Sequence, residues 1–126
     1  MRLAALCLAA LLALPVPASA QNLLESYVAF LSANDHYNSR GVRLSASWQI
    51  IRQDRANYHR FGERDSQDQW DSFFSSMDNR AAAERMLRDG YIDPSTENYI
   101  VNNEALVLVE IYGYGTTGTY IRVTPY

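Results

Sequence analysis

The sequence predicts a small α+β domain: a mainly antiparallel sheet, made from an N-terminal strand and a C-terminal hairpin, covered by three to four short helices. Three observations carry this. Residues 105–112 are apolar at almost every position and residues 119–124 alternate, with a glycine-rich stretch between them, the pattern of a hairpin. Between residues 46 and 101 apolar side chains recur at helical spacing, punctuated by caps and stops. A lone hairpin is marginally stable, and residues 24–31 (LESYVAFL) are the segment available to supply a third strand.

Taken in order, the chain of 126 residues opens with Arg2, an unbroken apolar run from Leu3 to Leu14, and Ala18-Ser19-Ala20 just beyond Pro15 and Pro17. That is the pattern of a secretory signal peptide cleaved before Gln21. The expected organisation is residues 1–20 as signal peptide and 21–126 as one α+β domain, exported to the periplasm or secreted. The apolar run is shorter than the ~20 residues of a membrane span, so none is expected. Cys7, the single cysteine, falls in this leader, so the mature chain is cysteine-free and no disulfide braces the fold.

Residues 24–31 fit helical spacing and alternation almost equally; the need for a third strand selects the strand. The dense polar run Asn34-Asp35-His36-Tyr37-Asn38-Ser39-Arg40-Gly41 reads as a loop. From Ala46 to Arg60 a helix is expected, with Ser45 or Ser47 as cap and Gly62 as stop. On its wheel Leu44, Ile51 and Tyr58 fall in line beside Trp48, and Arg55 lies among them, whereas Gln49, Gln53, Asn57 and Arg60 face away. Asp65 to Met77 suggests a short helix or helical turn: Asp65, Asp68 and Asp71 lead, and Trp70, Phe73, Phe74 and Met77 follow at i, i+3, i+4 and i+7. Asn79 to Asp89 is the clearest helix, capped by Asp78 or Asn79 and stopped by Gly90 in the left-handed conformation. Asp93-Pro94 opens a last short helix to about Val101. In the hairpin, placing Val107, Val109 and Ile111 on one face with Ile121 and Val123 sets Glu110 opposite Arg122 and Tyr112 opposite Tyr120. That requires a loop of odd length and rejects a two-residue Thr116-Thr117 turn.

The eleven basic residues are all arginine, as expected of a GC-rich bacterial genome. Arg40, Arg43, Arg52, Arg55, Arg60 and Arg64 against Asp54 and Glu63 give residues 40–64 a balance of +4, whereas residues 65–110 stand at −7. The net charge of −3, with no basic stripe interleaved by aromatics, argues against nucleic acid as a partner.

Motifs for chemistry are weak. Gly113-Tyr114-Gly115-Thr116-Thr117-Gly118 matches G-x-G-x-x-G, but a dinucleotide loop must open a helix, and here it joins two strands. His36 and His59 lack a ligand-spaced companion, Asp65, Asp68 and Asp71 lack the alternating calcium-loop spacing, and no nucleophile motif occurs. No metal or cofactor is therefore expected. What remains is the polar loop and an abundance of tyrosine, nine in all, with Tyr112, Tyr114, Tyr120 and Tyr126 near the hairpin. The candidate binding residues are Asp35, His36, Tyr37, Asn38 and Arg40 of the loop, with Arg55 and His59 nearby. The expectation is a non-catalytic binding or accessory protein of the bacterial envelope that recognises a protein or glycan. The alternative is a small periplasmic hydrolase using Asp35, His36 or His59.

Overall fold

The computed structural model describes residues 21–126; the expected signal peptide, residues 1–20, lies outside the described residues. The fold is α+β. Strand β1 (Asn22–Leu31) is followed by a 3-10 turn (Ala33–His36), helix α1 (Ser47–Ala56) with a π-helical turn at its end (Asn57–Phe61), and a second 3-10 turn (Phe73–Ser75). Helices α2 (Met77–Ala81), α3 (Ala83–Asp89) and α4 (Pro94–Asn102) precede strands β2 (Ala105–Tyr114) and β3 (Thr117–Pro125). The sheet is antiparallel in the order β1-β2-β3, so the third strand the hairpin needs is the N-terminal one.

Alternation fixes which face is buried. Val107, Val109 and Ile111 of β2 point into the core with Tyr27, Ala29 and Leu31 of β1 and Ile121 and Val123 of β3. Ile50 and Ile51 of α1, Phe73 and Phe74, Met86 and Leu87 of α3, and Ile100 of α4 cover them. The intervening residues of β2 are only half-buried, so the near-continuous apolar run does not mean cover on both faces. The hairpin register is as expected, with Glu110 opposite Arg122 and Tyr112 opposite Tyr120. The connection differs: Gly115 and Thr116 form a two-residue turn closed by Tyr114 and Thr117, and a register shift after Tyr112 restores the faces. The extra residue sits in a bulge and not in a longer loop.

Four helix expectations need correction. Neither Ser45 nor Ser47 caps α1; Gln49 Oε1 instead accepts from the Ser45 and Ala46 amides, and Glu97 Oε1 from that of Ser47. Residues 65–72 are not helical. Their side chains bond to β1: Phe30 N donates to Asp68 Oδ1, Val28 N to Gln69 Oε1, and Gln69 N returns to Val28 O. Carboxylates with such partners withdraw the backbone from a helix, and Trp70, read at helical spacing with Phe73 and Phe74, is 60% exposed. The helix from residue 79 is divided at Ala82, and the first part is capped by Ser76, whose Oγ accepts from Asn79 N. Gly90 is not left-handed: its φ is −90°. Gly62 does end the α1 region as expected, and does so in the left-handed conformation, at φ +69°.

Gly90 has a different reason to be glycine. Tyr91 bridges to Arg122 of β3, which draws the backbone so close that a Cβ on Gly90 would lie 2.1 Å from Ile121 O. Gly90→Ala should therefore cost about 1–3 kcal/mol, read as a fall in Tm of roughly 4–8 °C per kcal/mol for a domain this size. An unchanged Tm would mean that the α3–β3 junction is looser than this approach implies.

Candidate functional site

The polar loop is built by its own side chains. Ser32 N and Oγ both donate to Asp35 Oδ2, closing the 3-10 turn. Asn38 Oδ1 accepts from the Arg40 and Val42 amides, Asn38 N donates to Val42 O, and Tyr37 bridges to Arg43, making a miniature hairpin. Two basic side chains then tie this loop to the C-terminal carbonyls of α4: His36 Nε2 meets Ile100 O at 2.7 Å, and Arg43 Nη2 donates to Val101 O at 2.6 Å.

Between this loop and the end of α1 lies an open cleft of about 500 Å³. One wall is Asn34, Tyr37, Asn38 and Ser39; the other is Gln53, Asn57, Phe61 and Glu63. Tyr37 and Phe61 are 44% and 49% exposed, so two aromatic rings are presented to solvent. The amides are cross-linked: Gln53 Nε2 donates to Asn57 Oδ1, Asn57 Nδ2 to Asp35 Oδ1, and Asn34 Nδ2 to Glu63 Oε2, all at 2.8–2.9 Å. Asn57 faces the cleft together with Gln53, one turn earlier on the same helix face as the wheel places them; it is nonetheless buried, because its Nδ2 reaches inward to Asp35.

Beneath the cleft is a buried charge network. Arg55 is 0% exposed. Its Nε donates to Asp54 Oδ2 at 2.7 Å, and its Nη1 to Asp71 Oδ1 at 2.8 Å and to Gln69 O at 3.0 Å. Asp68 Oδ1 stands 4.0 Å from Nη2. The guanidinium carbon lies 4.2 Å from the Tyr27 ring centroid and 4.5 Å from that of Tyr58, and Arg64 covers Tyr58 as well, at 4.2 Å. Burial opposes the charge on Arg55, but the adjacent carboxylates of Asp54 and Asp71 more than compensate and hold it protonated.

The expected binding residues thus separate. Tyr37 and Asn38 line the cleft, and Asp35 anchors its floor through Asn57. Arg40 is exposed on the loop. His36 is buried with both ring nitrogens on carbonyls, of Ser32 and Ile100, and Arg55 is at the centre of the network. His59 bonds through Nε2 to Asp71 at 2.8 Å, far from a role beside His36, whose partners are different. The opposite wall of Gln53, Asn57, Phe61 and Glu63, and the buried carboxylate Asp71, were not legible as site residues. One signal existed: Asp54 and Arg55 occupy the buried stripe of α1 with Ser47, Ile50 and Ile51.

Asp35, Asp54 and Asp65 bring carboxylate oxygens within 4.8 Å of one another. Oxygens so arranged suit a hard cation, but Asp35 already accepts from Ser32 and Asn57, and Asp54 from Arg55. Burial pushes all three carboxyls above their ordinary range; Arg55 only partly offsets this at Asp54, and Asp68 adds repulsion at Asp65. Compared with protein-family models, with curated proteins and with solved structures, the chain matches none.

Two predictions follow from the network. Arg55→Ala leaves Asp54 and Asp71 without their cation and should cost about 3–5 kcal/mol, whereas Arg60→Ala, at an exposed position, should stay within about 0.5 kcal/mol. Equal denaturant midpoints for the two variants would show that the network does not hold the fold. The second concerns pH. Carboxyls raised in the folded state bind protons more tightly there than in the unfolded chain, so their contribution is fully present below the ordinary carboxylate range and is lost as pH rises through the folded values. Melting should therefore occur at higher temperature at pH 5 than at pH 7.5. Asp65→Asn, which removes one of the three charges, should raise the Tm at pH 7.5 and flatten the profile; a slope unchanged by the substitution would refute the assignment.

Proposed function

We propose that this protein is an exported, non-catalytic binding module of the bacterial envelope, and that the cleft between the 34–41 loop and the end of α1 takes a glycan. The observation that carries the reading is the lining: two solvent-facing rings, Tyr37 and Phe61, beside a floor of side-chain amides. Sugars offer C–H faces that stack on aromatic rings and hydroxyls that pair with groups able both to donate and to accept. After its bonds to Gln53 and Asp35, Asn57 keeps one N–H and one lone pair of this kind. The cross-links between the amides order the floor before a ligand arrives, which lowers the entropic cost of binding. Export rests on the pattern of residues 2–20 in the sequence.

The hydrolase alternative draws less support, because each of its three residues is already held by structural partners. Asp35 bonds Ser32 and Asn57, His36 bonds Ser32 and Ile100, and His59 bonds Asp71. A general acid or base must come within hydrogen-bond reach of the proton it moves, and none of these three lines the cleft.

Calorimetric titration with oligosaccharides released from the bacterial envelope tests the proposal. Tyr37→Ala and Phe61→Ala should each weaken binding by about tenfold, equivalent to ~1.4 kcal/mol, with the circular dichroism spectrum unchanged. Retained affinity in both variants would place the ligand elsewhere. Capture of an envelope protein with no glycan affinity would overturn the glycan reading, and turnover lost with His36→Ala or His59→Ala would favour the hydrolase.

A further inference from the structure

Resting on the glycan reading, we infer that the ligand is an acidic glycan, and that a second cleft beside the first receives its carboxylate. This second cleft, about 310 Å³, runs along the outer face of α1 and shares Ser39, Gln53 and Phe61 with the first. The two clefts therefore adjoin along these three residues. Their chemistry differs. The first is lined by amides and the carboxylate of Glu63; the second is lined by Arg52 and Arg60, with Trp48 as its aromatic wall.

These two arginines are unlike Arg43, Arg55 and Arg64. Arg55 is neutralised in the core, Arg43 is spent on the end of α4, and Arg64 covers Tyr58 while its Nε donates to Tyr58 O. Arg52 and Arg60 are exposed, and neither has a carboxylate within 4.0 Å among the described residues. Arg60 stacks at 5.1 Å on the ring of Phe61, one of the residues common to both clefts, which holds its charge where the two adjoin. Arg40, also exposed, projects from the loop that forms the neighbouring wall. The result is a local concentration of guanidinium groups on a chain whose net charge is −3. Planar forks of N–H donors match a carboxylate in two-point hydrogen bonds, and a concave basic surface raises the local concentration of an anionic ligand. A polymer that alternates uncharged and carboxylated positions would meet the rings and amides of the first cleft and the arginines of the second with the same strand.

The test compares an oligouronide with the same oligomer after carboxyl reduction, and with a phosphate-substituted neutral oligosaccharide, by calorimetry at low and high sodium chloride. The oligouronide should bind the wild-type protein about tenfold more tightly than its reduced form at low salt, and the advantage should shrink as salt screens the exposed charges. Arg52→Gln combined with Arg60→Gln should erase the advantage and leave affinity for the reduced oligomer unchanged, whereas Tyr37→Ala should weaken both ligands. Equal affinity of wild type for the acidic and reduced forms would overturn the inference while leaving the glycan reading intact. So would an acidic advantage that survives the double substitution. Preference for the phosphate-bearing oligomer over the oligouronide would reject the carboxylate in favour of another anion. Binding of none of the three would overturn the glycan reading and this inference with it.

Discussion

One guanidinium organises this small domain. Arg55 is wholly buried, and its charge is balanced by Asp54 from the same helix and Asp71 from the segment that follows, with Asp68 close by. A buried charge is tolerated only when paired and hydrogen-bonded, because the interior supplies none of the solvation of water. Every segment that touches Arg55 is therefore constrained in position. Helix α1 must present residue 55 inward, residues 68–71 must pass close to it, and Tyr27 and Tyr58 must lay their rings against it.

That constraint explains the irregular stretch between α1 and α2. Held at Asp71, the preceding residues run along the free edge of β1. Gln69 and Asp68 there bond the Val28 and Phe30 amides, and Glu25 accepts from Ser72 N, Ser72 Oγ and Phe73 N. An edge strand left open is a template for unwanted pairing, and here side chains close it without a fourth strand. Asp71 also accepts from Phe74 N and from His59, so one carboxylate ends the segment and anchors the π-helical turn. Arg80, buried against the carbonyls of Phe74 and Ser75, fixes the next turn in the same manner.

The network also reaches the surface cleft. Asp54 lies beside Asp35, which holds Asn57, which in turn holds Gln53. The floor of the cleft is thus continuous with the buried charges, and its side chains are set by groups that cannot move without exposing or orphaning a carboxylate. Burial, with repulsion from neighbouring carboxylates added, shifts the Asp35, Asp54 and Asp65 carboxyls upward as the electrostatic consequence. Polar networks of this type give a core one well-defined arrangement and leave little tolerance for substitution.

The sequence by itself determined the α+β class, the third strand, the register of the hairpin, the placing of Arg55 among apolar side chains, and the loop that forms one wall of the cleft. Each is written in local pattern: alternation, helical spacing, or a cluster of turn-forming residues. Tertiary structure alone decided that Asp65 to Asp71 would bond to β1 and Arg55 and not lead a helix. It also decided that Asn57 would turn inward, that the long helix would divide at Ala82, and that Gly90 would serve close approach to Ile121. For the aspartates, Asn57 and Gly90 the physical reason is the same. A carboxylate, an amide or a glycine has comparable local options, and the choice among them is made by a partner tens of residues away, whose position exists only after the chain has folded.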